Sequence, residues 1–340
     1  MTSDAADPTV AELSEGEILR RILERLGQGT APVGPGDDAA VIDAPDARVV
    51  ATVDTLVEGP DFRQAWTSGF DLGWKAAAVN LADVAAMGAR PTALLVALAL
   101  PEHTRISFVV AVADGLRAAC AELAPGCAVE GGDLTVSRTL TVAVTALGSL
   151  DGRAPVLRSG ARVGDVVALA GDAGVAARGL DVLFERFADP DGTALPYSSE
   201  GLAELDRVAV ERQLRPVPPI GAGVGASLGG ATAMMDVSDG LALDASRIAD
   251  ASGVTVALET ALLGTDPRAL SGGEDHALLA TFPSATALPA GFRPIGSVVA
   301  RGAAALTVDG APYRGRTGWD PYRDTSGGDA RSAHQSVVSP

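Results

Sequence analysis

Carboxylates recur in this chain at element ends beside Gly, Ser and Thr: Gly36-Asp37-Asp38, Thr52-Val53-Asp54-Thr55, Gly131-Gly132-Asp133, Met235-Asp236-Val237-Ser238-Asp239-Gly240 and Ser271-Gly272-Gly273-Glu274-Asp275. One such acid is ordinarily a turn residue that accepts local backbone N–H bonds. Five segments of this kind ask for a shared partner. They are joined by Asp83, which sits among Val79, Leu81, Val84 and Met87. Helical spacing puts Asn80 and Asp83 on one face, with Lys75 eight residues before Asp83. Lys75 is the sole lysine and cannot neutralise several converging acids. Divalent cations can, and hard oxygen donors suit Mg²⁺ or Ca²⁺ rather than zinc. His103, His276 and His334 are scattered and none pairs with a cysteine, which removes a zinc site.

Asp236 to Gly240 superficially resembles a calcium loop, but its glycine stands at the fifth position and Arg247 occupies the twelfth, where a bidentate glutamate is needed. Mg²⁺ takes one or two protein carboxylates and completes its octahedron with water and phosphate oxygens, so these acids point to a metal-bridged polyphosphate. The familiar nucleotide motifs are absent. No Gly-Lys-Ser/Thr surrounds Lys75, and neither His-Arg-Asp nor Asp-Phe-Gly occurs. Gly221-Ala-Gly223-Val-Gly225 follows Pro218-Pro219-Ile220 rather than a strand and reads as a helix start. No Cys/His pair supports nucleophilic catalysis.

The elements that must position these acids alternate along the chain. Ser14-Glu15-Gly16-Glu17 has the form of a capping box ahead of a helix carrying Ile18, Leu19, Ile22, Leu23 and Leu26. Residues 39–42 and 48–53 read as a hairpin after the Gly/Pro-rich loop of 27–36. Asp71 reads as the cap of a helix reaching Met87, which Gly88 and Pro91 stop. A buried strand over 92–100, a helix over 106–123 and strands at Val129 and 139–147 follow. Residues 151–164 form the boundary of a second region. It has strands at 165–170, 234–237, 254–258, 276–282 and 305–308, and helices after Gly174, around 202–213, near 220–228 and from Leu241. Asp309-Gly310 is a hairpin turn signal. The expected organisation is an N-terminal arm over 1–30, a first α/β domain over 31–150, a C-terminal α/β domain over 151–322 and a disordered tail over 323–340.

Composition narrows the partners. With 26 Lys+Arg against 43 Asp+Glu the net charge is −17, and aromatics make up 4% of the 340 residues. That leaves no electrostatic footprint for a nucleic-acid backbone and little for base stacking. Hydrophobic residues, at 47%, suffice for a large core. Cys120 and Cys127 are wrongly spaced for a C-x-x-C pair and read as reduced and structural. The first residues lack a basic and apolar leader, and the longest apolar run, 93–100, is too short to span a bilayer, so a soluble cytoplasmic protein is expected.

The order of motifs resembles the thiamine-monophosphate kinase family of the aminoimidazole ribonucleotide synthetase-like superfamily. The resemblance runs over about residues 14–322 and rests on Gly34-Pro-Gly-Asp-Asp38, Val53-Asp-Thr-Leu-Val57, Lys75-Ala-Ala-Ala-Val-Asn-Leu-Ala-Asp83, Ala85-Ala-Met-Gly88, Gly131-Gly-Asp133, Arg158-Ser-Gly-Ala161, Asp236-Val-Ser-Asp-Gly240 and Ser271-Gly-Gly-Glu-Asp275. The third and last of these separate the family from its relatives. Rival readings are another superfamily enzyme, such as selenophosphate synthetase or the hydrogenase-maturation protein, and a non-catalytic, metal-dependent nucleotide sensor.

The resemblance implies an α/β fold of two domains. The N-terminal sheet domain would form a homodimer and the catalytic cleft would lie between the domains. It implies transfer of the ATP γ-phosphate to thiamine monophosphate, giving thiamine diphosphate, with several Mg²⁺ ions. By resemblance, Asp38, Asp54, Asp83, Asp133, Asp236 and Asp239 are metal ligands, with Thr52 and Val53 beside the first metal. Gly132, Asp133, Arg158 and Ser238 contact ATP, and Glu274 and Trp319 contact the thiamine phosphate. Where the family has Gly-x-His-Phe with its histidine on the substrate, this chain has Gly59-Pro60-Asp61-Phe62. An acid can hydrogen-bond the aminopyrimidine or face the thiazolium charge, but it cannot donate to phosphate as a cationic His would. Lys75 is placed either as a structural partner of nearby acids or as a phosphate contact.

Overall fold

The computed structural model describes residues 7–35, 39–264, 266–284, 286–315 and 318–319. Asp38 and the tail expected over 323–340 lie outside them. The chain divides into two compact units, Met1–Val84 with Ala89–Gly152 and Ala85–Gly88 with Arg153–Pro340.

The first unit contains α1 (Glu15–Leu26), β1 (Val50–Val57), α2 (Gly69–Ala86), β2 (Arg90–Leu100), α3 (Ile106–Leu123), β3 (Ala128–Val136) and β4 (Thr141–Ser149). Its sheet has the order β1-β4-β2-β3. β2 and β3 are parallel and joined through α3, while β4 runs antiparallel to both β1 and β2. α2 and α3 approach closely through glycine. A Cβ at Gly73 would stand 2.0 Å from the Val112 carbonyl oxygen, and one at Gly115 would stand 2.0 Å from that of Phe70. This contact places α2 deep in the unit, with Leu72, Leu81 and Val84 fully buried.

Three local expectations need correction. Ser14 caps α1 by accepting from Glu17 N at 3.3 Å, but the Glu17 carboxylate pairs with Arg20 and Arg21, so the reciprocal half of the box is missing. Two nearby cations outcompete one backbone N–H. At α2 the cap is Ser68, whose hydroxyl accepts from Asp71 N at 3.2 Å while Asp71 accepts from Ser68 N, so Asp71 supplies the far half of the box. The hairpin over 39–53 does not form. β1 pairs with β4, and the 39–49 segment contributes only the Val33–Val41 bridge. Pro45, without an N–H, interrupts it.

The second unit contains β5 (Val166–Ala170), α4 (Val175–Arg186), α5 (Glu204–Leu214), α6 (Ile220–Leu228), β6 (Ala233–Val237), α7 (Leu241–Ser252), β7 (Val254–Leu258), α8 (Thr260–Leu263), α9 (Arg268–Ser271), β8 (Ala277–Phe282), β9 (Phe292–Ala300), β10 (Leu306–Val308) and β11 (Ala311–Pro312). The sheet order is β11-β10-β7-β9-β5-β8-β6. Its core joins Val167, Leu169, Met235, Ile248, Leu279 and Ile295. Asp309-Gly310 forms the β10/β11 turn with both residues at positive φ, as a type I′ hairpin needs. β9 escapes the sequence pattern because Pro294 and Gly296 interrupt it, yet it pairs on both sides, with β7 and β5. The interruption is a bulge: Val167 faces Gly296 and Ala168 faces Pro294, leaving Ile295 as the extra residue.

Candidate functional site

In the first unit β1 and α2 are stapled at the predicted metal residues. Thr52 Oγ1 donates to Asp83 Oδ2 at 2.8 Å. Asp54 N donates to Asn80 Oδ1 at 2.9 Å, and Asn80 Nδ2 donates to Ala76 O one helical turn back. Period-2 alternation directs Thr52 and Asp54 to the α2 side of the sheet. Val53 points the other way and is 60% exposed, so it can offer an ion only its backbone carbonyl. Lys75 and Asn80 are buried on α2, at 3% and 1% exposure.

Asp133 lies elsewhere. The register aligns Thr55 with Ala143, Ala143 with Ala97 and Ala97 with Asp133. Asp133 therefore belongs to the row of Thr55, on the sheet face opposite Thr52, Asp54 and Asp83. β1 and β3 are the two edges of the four-stranded sheet, about 14 Å apart at the usual strand spacing. Gly132 is required by the parallel pairing, since a Cβ there would stand 2.0 Å from Val96 O.

Just before this motif, Glu130 is the extra residue of a bulge between Val129 and Gly131. Its buried carboxylate accepts from Thr30 N at 2.5 Å, Thr30 Oγ1 at 3.0 Å and Ala31 N at 3.0 Å, anchoring the loop that precedes Asp37-Asp38 in sequence. Asp61 Oδ2 accepts from Val57 N at 2.7 Å and closes the turn that carries it, so one of its oxygens is committed to the backbone. The hydrogen bond with Cys120, and then burial, push the Cys127 thiol far above the ordinary thiol range, in keeping with two unreactive core cysteines.

The second unit gathers the other acids where β6 runs into α7. Asp236 is 4% exposed and Asp244 is 0% exposed. Arg247 Nη1 lies 2.7 Å from Asp239 Oδ2 and 2.6 Å from Asp244 Oδ1. Asp244 Oδ2 also accepts from Asp239 N and Gly240 N at 3.3 Å. Burial first, and then the charge of Asp236, push Asp244 up to about 7, although Arg247 opposes the shift. His276 Nδ1 is 3.3 Å from Asp236 Oδ2. Glu274 N donates to Ser238 O at 2.8 Å, and Trp319 N donates to Asp239 O at 2.9 Å. Glu274, Trp319 and Ser238 thus gather around the Asp236–Asp239 loop. Arg158 stands in a 3-10 turn over Arg158–Gly160 with an exposed side chain, its carbonyl accepting from Ser252 Oγ.

Sequence reasoning missed Asp244, Arg247, His276 and the particular role of Asp275. The spacing Asp244-x-x-Arg247 was the readable signal for the first two. The others depend on contacts distant in the chain.

Among the described residues, no three His, Cys, Asp or Glu side chains converge closely enough to hold an ion unaided. The second-unit acids nonetheless supply the hard oxygen donors that a divalent cation such as Mg²⁺ takes, from Asp236 and Asp239. Mg²⁺ completing its shell with phosphate oxygens asks for one or two carboxylates, which each unit offers.

The family described as AIR synthase related protein, N-terminal domain, matches residues 36–150. The thiamine-monophosphate kinase of Mycobacterium tuberculosis is 42% identical over 332 residues, covering 93% of each chain. That of Corynebacterium glutamicum is 38% identical over 335 residues, covering 93% of this chain and 95% of the relative. Among solved structures, the thiamine-monophosphate kinase from Stenotrophomonas maltophilia K279a superposes with a TM-score of 0.73 at 31% identity, covering 88% of this chain and 98% of the other. A structure described as AaThiL complexed with AMPPCP and TMP superposes with a TM-score of 0.70 at 30% identity, covering 91% and 97%. Hydrogenase maturation protein HypE, at 20% identity, shares the fold alone. With 42% and 38% identity each running over 93% of this chain, and so through both units, the chain belongs to the thiamine-monophosphate kinases.

Proposed function

We propose that this kinase transfers the γ-phosphate of ATP to thiamine monophosphate, giving thiamine diphosphate and ADP, by direct in-line attack with magnesium at its acidic loops. The observation that supports the metal requirement is the junction of β6 and α7, where Asp239 and Asp244 share the guanidinium of Arg247 and the charge of buried Asp236 also bears on Asp244. Phosphoryl transfer to a phosphate monoester brings two anions together. Two unit charges at 4 Å repel by ~1 kcal/mol in water and ~4 kcal/mol at an effective dielectric of 20. Carboxylates alone would worsen this. Bound magnesium supplies the neutralising charge.

The assignments follow the motifs. Asp38, Thr52, the Val53 carbonyl, Asp54, Asp83, Asp133, Asp236 and Asp239 hold metal. Gly132, Asp133, Arg158 and Ser238 hold ATP, and Asp61, Glu274 and Trp319 hold thiamine monophosphate. Thr52 and Asn80 fix the orientation of Asp83 and β1, and Arg247 fixes Asp239. Arg158 gives the phosphates a fixed positive charge. No side chain serves as general base, because the attacking phosphate oxygen is already mostly deprotonated near pH 7.

The reading includes a homodimer and a cytoplasmic location. Ala51, Val53 and Thr55 leave the sheet face opposite α2 exposed on β1, and the same face carries Asp133. A second copy seated on this face could set its Asp133 against the exposed edge strand β1, where the Val53 carbonyl, lying in the plane of the sheet, is reachable from that side, whereas Asp133 of the same chain stands at the far edge. Among the described residues no helix is long and apolar enough to cross a membrane. The test is ADP release that requires both thiamine monophosphate and magnesium. Tight Mg-ATP binding with no turnover on thiamine monophosphate overturns the proposal.

A further inference from the structure

The segment Glu274-Asp275-His276 is held in a conformation that its residue types disfavour. Glu274 has φ +72° and His276 has φ +51°, both in the left-handed region. Each such non-glycine residue costs on the order of 1 kcal/mol and persists only where surrounding contacts impose it. On one side those contacts are backbone bonds to the acidic loop: Glu274 N donates to Ser238 O at 2.8 Å and His276 N to Val237 O at 3.0 Å. Gly273 lies so close to this loop that a Cβ would stand 2.4 Å from Ser238 O.

On the other side the contact is made by Asp275. α4 begins at Gly174, which has no side chain to cap the helix. A Cβ at Gly174 would stand 2.5 Å from the Arg268 carbonyl carbon, and its φ is +82°, so a conventional Ser or Asp cap does not fit there. The missing oxygens come from about a hundred residues away. Asp275 Oδ2 accepts from Gly174 N at 2.5 Å and Asp275 Oδ1 accepts from Ala176 N at 2.8 Å. The carboxylate is buried, at 7% exposure. It thus spans the start of α4 and the strained segment, with Glu274 on one side in sequence and His276, which reaches Asp236, on the other.

We propose that Asp275 is a positioning residue for Glu274, holding it at the left-handed conformation from which its carboxylate meets the thiamine phosphate. The proposal rests on the reading of Glu274 as a substrate contact. Asp275 touches no reacting atom. It acts by anchoring its own backbone to α4, so that the turn at 274 cannot relax to an ordinary conformation.

The experiment is a double-mutant cycle on the full-length protein with Asp275→Asn and Glu274→Gln, reading KM for each substrate, kcat and the melting temperature. Asp275→Asn presents an NH2 group to a backbone N–H and loses one anchor. We expect it to raise KM for thiamine monophosphate about tenfold, the equivalent of one charge-assisted hydrogen bond. KM for ATP stays within about twofold, because the effect is directed through Glu274 alone. In the Glu274→Gln background Asp275→Asn adds no further rise. A lowered melting temperature with both KM values unchanged overturns the proposal, as does a KM rise that is fully additive with Glu274→Gln. If Glu274→Gln alone leaves KM for thiamine monophosphate unchanged, the reading of Glu274 fails, and the anchoring role falls with it. Should Asp275→Asn not fold, Asp275→Glu keeps the charge, lengthens the arm by one methylene and is held to the same outcomes.

Discussion

Thr52 Oγ1 and Asp83 Oδ2 stand 2.8 Å apart, so that a hydroxyl on the edge strand β1 fixes the rotation of a carboxylate on the central helix α2. Such a partner orients a metal-binding acid and lowers the entropy lost on metal binding. Thr52→Val should raise the magnesium concentration for half-maximal rate about tenfold with an intact fold. Asp83→Asn should lower turnover by orders of magnitude, on the order of 10²-fold or more. A magnesium titration beside a melting curve checks both, and near-normal rates for Asp83→Asn at saturating magnesium would refute its assignment.

Separation of Asp133 from Asp83 by the sheet makes a prediction about mixed dimers. Asp83→Asn and Asp133→Asn homodimers are each expected to be inactive. When the two variants are unfolded together and reassembled, one site of each mixed dimer receives both intact acids. About a quarter of the wild-type rate should return if pairing is random. No recovery would place both acids of a site in one chain.

Stability should depend on pH through Asp244 and Asp275. Burial raises Asp244 to about 7 and Asp275 to about 6, the latter against the two backbone N–H donors that lower it. In an unfolded chain both would titrate near the ordinary value of about 4. Between about 4 and 7 the folded protein therefore holds protons that the unfolded chain has released, and stability falls as pH rises through this window. At about 1.4 kcal/mol per pKa unit the loss is expected to be on the order of several kcal/mol in the absence of magnesium. Urea midpoints at several pH values measure it. Asp244→Asn should flatten the slope, and an unchanged slope in that variant would rule out Asp244 as the source.

Asp61 offers a way to separate a turn from a substrate contact. Its Oδ2 is the acceptor for Val57 N at 2.7 Å. Asp61→Ala should cost about 1 kcal/mol of stability, and Asp61→Asn, which keeps an acceptor, should recover most of it. Both variants should raise KM for thiamine monophosphate several-fold, because neither retains the charge. If KM stays at the wild-type value in the Asn variant, Asp61 serves the turn alone.

Much of the fold was legible in local pattern. The helix over 106–123 and the strand over 254–258 were readable to the residue, since apolar periodicity and flanking turn signals agree there. β9 was hidden by Pro294 and Gly296, which signal a break in isolation and a bulge only when β5 and β7 lie alongside. The hairpin expected over 39–53 failed because strand propensity does not choose a partner, and β4 supplied a longer ladder for β1.

The same division runs through the candidate site. Residue types and motif order by themselves determined the family, because a residue's type and its place along the chain do not depend on where folding puts it. Only the tertiary structure decided which acids share a place. Asp83 meets Thr52 because α2 lies against one side of the sheet, and Asp133 is turned away because a strand's alternate residues face opposite sides. The cap of α4 comes from Asp275, about a hundred residues later, because Gly174 has no room for one of its own. Contacts of that length depend on the packing of whole elements, which no local spacing encodes.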